Sequence, residues 1–236
     1  MSLIVLSAVV MVTYSFEIVF GMAGTIFMLP LLLHLFDAKT LVIYSTLPQI
    51  LVATIGLARS PRTVRWPVLL GMLGFAGLGA LAGFYVFLAL PVAPFQILLA
   101  VTILAFGMYL VIAPGRLRLH PAVARGFDCA AGASQALFGI SGPIAMTRLL
   151  ATHADKTVVR NYALAFFLAL NLARLAAYGV TGALSAPIRE MMLVSALPLA
   201  VTLWFANHLH FRVNEKMFRR VVAWLVLLGG ITMLLR

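Results

Sequence analysis

The sequence predicts an all-α, polytopic membrane protein built from two inverted repeats, each a broken or re-entrant helical segment followed by three transmembrane helices. Three observations support this fold class. Of the 236 residues, 64% are apolar and only 10% are charged, whereas soluble domains are roughly half apolar and a quarter charged. The apolar runs reach the length of a bilayer crossing, about twenty residues. Finally, the first half of the chain is repeated in the second.

The apolar runs are separated by short connectors that contain proline or basic residues. Most runs have the length of one crossing, about twenty residues. The first run is too long for one helix, and both it and the fifth run are interrupted by glycine and proline. The predicted spans are 3–36, 40–58, 67–90, 93–113, 126–150, 158–180, 186–206 and 218–235.

The two interrupted runs carry the same motif. The Phe-Gly-x-x-Gly sequence of residues 20–24 returns at residues 138–142. Matched glycine and polar positions at one constant separation are less easily explained by chance than matched apolar positions. We therefore predict one membrane domain of two repeats, 1–115 and 116–236. Other pairs at the same separation are Glu17 with Gln135, Asp37 with Asp155, and Tyr44 with Tyr162.

Basic residues indicate how the chain crosses the membrane. Cytoplasmic loops carry an excess of Lys and Arg, and most of the 17 Lys and Arg residues lie in four connector regions. All four regions face one side only if the interrupted runs enter and leave the membrane as hairpins. Each half then has an odd number of crossings, so the second repeat is inverted, a plan typical of secondary transporters. We expect a multi-pass protein of the bacterial inner membrane. The four regions are 59–65, 116–125, 148–160 and 212–220.

The helix breaks are candidate anion sites. A helix that starts inside the bilayer presents unpaired N–H groups and the positive end of its dipole, and these can hold an anion. Glycine allows the backbone to approach a ligand closely, hydroxyl groups add donors, and proline suits a first helical turn. The alternative is that small residues only permit close helix packing. The candidate substrate-binding residues in the breaks are Gly21, Ala23, Gly24, Thr25, Gly139, Ser141, Gly142 and Pro143.

Polar residues within spans are costly in lipid and tend to face the protein interior. Glu17 is the candidate for proton coupling, with capping of the break or pairing with Arg174 as alternatives. Arg174 is a candidate anion ligand that could instead snorkel towards an interface. Gln49 and Asn171 are candidate cavity residues, with interhelical hydrogen bonding as the alternative.

Several classes of protein are disfavoured. The net charge of +11 resides mainly in the connectors, where basic residues meet anionic headgroups, so we expect a lipid bilayer and no nucleic acid as partner. A single cysteine, Cys129, and scattered histidines predict no metal and no cofactor. The expected partners are a small anion and protons as coupling ion. The sequence leaves open whether the protein forms a homodimer. The chain lacks a recognisable catalytic constellation, so we expect no enzyme.

Further motifs follow the first break. A basic connector leads to Trp66, a Gly-x-x-x-Gly pattern occurs at 79–83, and a Leu-Pro turn lies at 90–91. With the glycine breaks, these motifs make the chain resemble the TauE/SafE-type sulfite exporter family over nearly its whole length. The resemblance implies a membrane transporter for small sulfur-containing anions such as sulfite or an organosulfonate. Within the glycine cluster of the family, this chain has Met22 and Ile140, whose side chains are bulkier than glycine.

The leading hypothesis is a secondary carrier that exports such an anion by alternating access around the two breaks. The alternatives are an anion channel and a non-transporting membrane assembly or partner protein. Saturable counterflow separates a carrier from a channel. Anion flux through the purified protein separates both from a partner protein.

Overall fold

The computed structural model describes residues 2–20, 24–58, 63–112, 119–153, 155–208 and 224. Every secondary-structure element in these ranges is an α-helix. The predicted span 218–235, apart from residue 224, lies outside the described residues, as do the candidates Gly21 and Ala23. The helices are α1 (Ser2–Phe20), α2 (Gly24–Leu32), α3 (Ala38–Tyr44), α4 (Thr46–Ala58), α5 (Trp66–Ala89), α6 (Val92–Ile112), α7 (Pro121–Phe138), α8 (Gly142–Thr152), α9 (Lys156–Val180) and α10 (Ala186–Ala206).

Six stretches of the described chain are long and apolar enough to cross a membrane. They correspond to α1, to α3 with α4, and to α5, α6, α9 and α10. The sequence-predicted span 40–58 is therefore present, but Ser45 separates its two helices. The multi-pass membrane architecture is thus confirmed for the described residues.

Both predicted helix breaks are present. Helix α1 ends at Phe20 and α2 begins at Gly24, whereas α7 ends at Phe138 and α8 begins at Gly142. The boundaries of the two halves therefore recur at the separation seen in the sequence. The division into two repeats and the inversion of the second repeat stay predictions.

The chain reverses direction at each break. Residues 14 and 28 of a straight helix would lie about 21 Å apart, yet the Tyr14 hydroxyl lies 3.9 Å from the Met28 sulfur. Likewise, Arg148 Nε lies 3.2 Å from Asp128 Oδ1, although a straight helix would separate these residues by about 30 Å. Helices α2 and α8 thus fold back along α1 and α7 as hairpins. Asp128 thus pairs with Arg148, which the fold brings to it, although Arg125 is closer in the sequence.

The repeated aspartates begin helices. Asp37 caps α3 by accepting a hydrogen bond from the Thr40 N–H, and Asp155 caps α9 by accepting from the N–H groups of Thr157 and Val158. Side chains of this kind satisfy donors that a helix start leaves unpaired. The repeated acidic motif therefore marks the return of the chain from each hairpin into the next helix.

Glycines bring α5 and α7 into close contact. A Cβ on Gly79 or Gly83 of α5 would collide with backbone atoms of α7, and one on Gly132 of α7 would collide with Ala76 of α5. Small residues allow such approach of membrane helices. For this Gly-x-x-x-Gly pattern, close packing is the correct interpretation. The crossing also fixes the position of α7, which carries the second break.

Candidate functional site

The two helix breaks are joined by one side chain, Gln49 of α4. Its amide nitrogen donates to the Thr25 hydroxyl at 2.5 Å and to the carbonyl oxygen of Gly139 at 2.6 Å. Thr25 belongs to the first turn of α2, whereas Gly139 ends α7. Residues that lie far apart in the sequence thus form a single site, and α4 holds the two hairpins together there.

The second break requires glycine. Gly139 has φ = 70°, in the left-handed region, where a Cβ atom is strained for most residues. A Cβ built at this position would also lie 2.8 Å from the Ser45 hydroxyl and 3.2 Å from Arg174 Nη2. Both the backbone conformation and the close neighbours therefore disfavour any side chain at this position. Pro143 lies in the first turn of α8, as its chemistry predicts.

Gln135, three residues before the end of α7, extends the polar contacts. Its amide nitrogen donates to Gln49 Oε1 at 2.7 Å and to Asn171 Oδ1 at 3.0 Å. Its own oxygen accepts from the Ser141 hydroxyl at 2.6 Å. All of these residues are buried. Because buried polar groups need partners, this chain of amides sets the orientation of each member.

Arg174 is a buried cation beside the second break. It is only 3% exposed, and its Nη1 donates to Asn171 Oδ1 at 2.8 Å. Its Nη2 lies 3.0 Å from the carbonyl oxygen of Val42 and 3.3 Å from the Tyr178 hydroxyl. These acceptors are neutral, and Nε has no hydrogen-bond partner among the described residues. The guanidinium thus lacks a carboxylate partner in the described part of the protein.

Glu17 occupies the first break. Its carboxylate accepts backbone hydrogen bonds from Gly24 and Thr25 at the start of α2. A Cβ on Gly24 would collide with this carboxylate and lie 2.9 Å from the Tyr14 ring. Of the alternatives that the sequence left open, capping of the break describes this geometry, and pairing with Arg174 does not. The N–H groups at the positive end of α2 are therefore already occupied by an internal acceptor.

A small cavity separates the two breaks. Its lining includes Glu17, Thr25, Gln49, Gln135 and Ser141, and its volume is about 20 Å³. A cavity needs on the order of 10–15 Å³ to hold one water molecule. The space is thus sufficient for a water and too small for an oxyanion of four heavy atoms. In this structure the junction of the breaks therefore has no room for such an anion.

Most sequence-predicted site residues come together here. Thr25, Gln49, Gly139, Ser141 and Gly142 line the junction of the breaks, and Gly24 lies beside Glu17 there. Pro143 follows in α8, and Asn171 and Arg174 join from α9. The structure thereby shows their proximity, and their role in binding stays a prediction.

Sequence reasoning missed Gln135, Tyr14 and Ser45 as parts of this site. Gln135 is the repeat partner of Glu17, and its polar side chain within an apolar span could have identified it as a site residue. Tyr14 shares a 2.9 Å hydrogen bond with the Thr25 hydroxyl, and Ser45 faces Gly139. Neither contact has a signature in the sequence, since both depend on how helices pack.

No group of three or more His, Cys, Asp or Glu side chains suitable for a metal ion occurs in the described ranges. The polar groups of the site are amides, hydroxyls, one carboxylate and one guanidinium. This set of donors suits an anion better than a cation. A ligand here would be held by hydrogen bonds and by the charge of Arg174.

Comparison with known proteins gives one match. A family model described as Sulfite exporter TauE/SafE matches residues 6–233. Neither a curated protein nor a solved structure matches the chain. The family match covers both hairpins and every residue of the site described above.

Proposed function

The chain belongs to the sulfite exporter TauE/SafE family, a family of membrane transporters, and on that basis we propose that it is a secondary carrier that exports a small sulfur-containing anion by alternating access. Sulfite and short organosulfonates are the proposed cargoes. The anion binds at the junction of the two hairpins and makes contact with residues of both repeats. Export is favoured by an inside-negative membrane potential, at about 2.3 kcal/mol per charge per 100 mV.

One observation carries this proposal: the buried Arg174 guanidinium without a carboxylate partner among the described residues. Burying an unpaired charge is costly, and a bound anion would remove that cost. Gly139 brings its backbone close to the guanidinium, so an anion that displaced the present contacts would meet both groups. Arginine also matches oxyanions by directed hydrogen bonds.

Binding requires the closed junction to open. Because the cavity of about 20 Å³ is too small for sulfite, the anion must displace the contacts that Gln49 makes with Thr25 and Gly139. The amides of Gln49 and Gln135 then become donors to the anion. Separation of the hairpins on one side of the membrane, and then on the other, would give alternating access.

Glu17 supplies the proposed proton coupling. In the closed structure its carboxylate accepts the N–H groups at the start of α2, the same groups that would attract an anion. Protonation of Glu17 removes its charge and weakens this contact. The anion can then approach the first break, so that proton and anion binding favour each other.

The test is sulfite efflux from liposomes that contain the purified protein. Replacing Arg174→Gln should reduce flux at low sulfite by about ten- to a hundredfold, since a charge-assisted hydrogen bond is worth about 1.5–3 kcal/mol. Arg189→Gln is the matched control because Arg189 is exposed in the first turn of α10. Equal flux in both variants, with folding verified by thermal melting, would contradict the proposed site. Saturable counterflow in the wild type would identify a carrier.

A further inference from the structure

A layer of four aromatic rings lies beside the second break. The ring of Phe138, which immediately precedes Gly139, packs against Phe95 of α6 at 5.7 Å between centroids. Phe95 packs against Phe87 of α5 at 5.5 Å, and Phe87 packs against Tyr178 of α9 at 5.6 Å. All four side chains are at most 4% exposed. Rings from both predicted repeats thus form one buried layer, which we call the aromatic layer.

The aromatic layer lies between Arg174 and one membrane face. Phe87 and Tyr178 are each two residues from the ends of α5 and α9, and Phe95 lies in the first turn of α6. Arg174 is one helical turn before Tyr178, about 6 Å deeper along α9, and its guanidinium lies 5.6 Å from the centre of that ring. The rings therefore stand on the direct route from Arg174 to this face.

Lys39 of α3 occupies the outer end of the aromatic layer. Its ammonium nitrogen lies 5.1 Å from the centre of the Phe87 ring and 5.8 Å from that of Phe95. The side chain is partly exposed, and it forms no ion pair with a carboxylate among the described residues. Contacts between an exposed cation and a ring are weak. An anion can therefore engage Lys39 without breaking an ion pair.

The face that carries Lys39 is the outer face under the predicted topology. Helices α3 and α4 together cross the membrane between Lys39 and the basic connector 59–65. Basic connectors are concentrated on the cytoplasmic side, so Lys39 lies on the opposite side. An anion that crosses an apolar layer meets a high barrier, and a cation at the far end of the layer lowers it.

We propose that the aromatic layer is the outer gate of the transport path and that Lys39 is the cation that receives the anion as it leaves. This inference rests on the proposed function and gives its path an exit on a defined face. The packed rings close the path. Because Phe138 belongs to α7 and Phe95 to α6, movement of the second hairpin separates these two rings and opens the gate. Lys39 then faces the anion in place of the rings.

The experiment measures thiol labelling from the outer side of right-side-out membrane vesicles. Cys129→Ala removes the single existing thiol, and Ser45→Cys places a new one at the second break, about 9 Å deeper than Lys39. A membrane-impermeant methanethiosulfonate should label it slowly, since Ser45 is fully buried. Phe87→Ala should speed labelling by about tenfold or more, because loss of a buried ring destabilises the closed packing. Phe75→Ala is the matched control, since Phe75 lies on the same helix about 18 Å away.

The charge of the labelling reagent tests Lys39. In the Phe87→Ala background, a methanethiosulfonate that carries a sulfonate group should react faster than one that carries a trimethylammonium group. Lys39→Met should lower the ratio of the two rates by about fivefold, the effect of one unit charge at about 4 Å in water, whereas Lys39→Arg should preserve the ratio. A ratio within each variant is unaffected by differences in gate opening.

Equal labelling rates in Phe87→Ala and Phe75→Ala would overturn the gate, and an unchanged ratio in Lys39→Met would overturn the role of Lys39. Thermal melting of the purified variants verifies folding, and Phe87→Leu, which keeps an apolar side chain but no ring, gives the same comparison if Phe87→Ala does not fold. Labelling needs no transport. If the wild type moves no sulfite, the proposed function fails, whereas faster labelling in Phe87→Ala alone still supports an outer gate above the second break.

Discussion

The two helix breaks share a backbone plan and differ in charge. Each follows a helix that ends in Phe, and each precedes a short helix that begins at Gly and folds back. In the first break the Glu17 carboxylate accepts the N–H groups at the start of α2. In the second, the corresponding residue is the neutral Gln135, which bonds Ser141, Gln49 and Asn171. One break therefore contains an acidic side chain, and the other has beside it a cation without a carboxylate partner among the described residues.

Under the proposed function, this difference predicts separate tasks for the two breaks. The start of α2 is neutralised unless Glu17 is protonated, so the first break is suited to proton coupling. The second break, with Arg174 next to Gly139, is suited to permanent attraction of an anion. The two breaks thus share a backbone geometry and differ at the residues that would carry the chemistry. Exchanging or removing these charged groups tests the comparison directly.

The largest effect is expected from Gln135→Glu, which gives the second break the charge of the first. Gln135 and Arg174 donate to the same oxygen of Asn171, so a carboxylate here would pair with the guanidinium. At an effective dielectric of about 20, such a pair at 4 Å is worth about 4 kcal/mol, and sulfite binding should weaken by about a hundredfold or more. Isothermal titration of purified protein measures this. Gln96→Glu, an exposed change on α6, should leave the affinity unchanged, and an equal loss in both variants would refute the comparison.

A smaller effect is expected from Gly139→Ala, which disturbs the backbone of the second break. The left-handed conformation costs a non-glycine residue about 1–2 kcal/mol, and the new methyl group would also approach Ser45 and Arg174. Gly182→Ala is a matched control because Gly182 has φ = 71° and no neighbour within 4 Å of its added Cβ. Both variants should melt at lower temperature, but only Gly139→Ala should lose transport, by about tenfold. Equal transport in the two variants would place the break outside the transport site.

The smallest effect on maximal flux is expected from Glu17→Gln, which gives the first break the residue of the second. The wild type should transport faster as the pH falls, because protonation of Glu17 frees the start of α2 for the anion. The variant lacks a titrating group here, so its flux should become independent of pH while its maximum changes by no more than about threefold. Methanesulfonate flux is the suitable measurement, since this anion keeps its charge over the pH range. A pH dependence retained in Glu17→Gln would show that another group couples protons.

Much of the fold could be predicted from the sequence because bilayer physics leaves few options. Long apolar runs predicted helices, and α5, α6, α9 and α10 lie where they were expected. The Phe-Gly-x-x-Gly repeat predicted both breaks at the correct residues, since glycine and proline interrupt helices locally. Helix α7 begins at Pro121, earlier than the predicted start at 126. The prediction was late because polar residues in the first turns of α7 lower the local hydropathy.

The candidate site was predicted less completely, since partner choice is a property of packing. Glu17 could have paired with Arg174 on charge alone, yet α1 and α2 bring it to backbone N–H groups instead. Asp128 could have paired with nearby Arg125, yet the reversal of α8 brings Arg148 within 3.2 Å. Local sequence distance did not decide either case.

By itself, the sequence determined the membrane class, the repeated hairpins and the position of each break, because hydropathy, glycine and proline act through local physics and through the bilayer. Only the tertiary structure decided which polar groups meet at those breaks. The packing of α4 and α9 against the hairpins brings Gln49, Gln135 and Arg174 together and leaves the guanidinium without a carboxylate among the described residues. Hydrogen bonds and ion pairs depend on distances of a few ångströms, and these are set by helix packing.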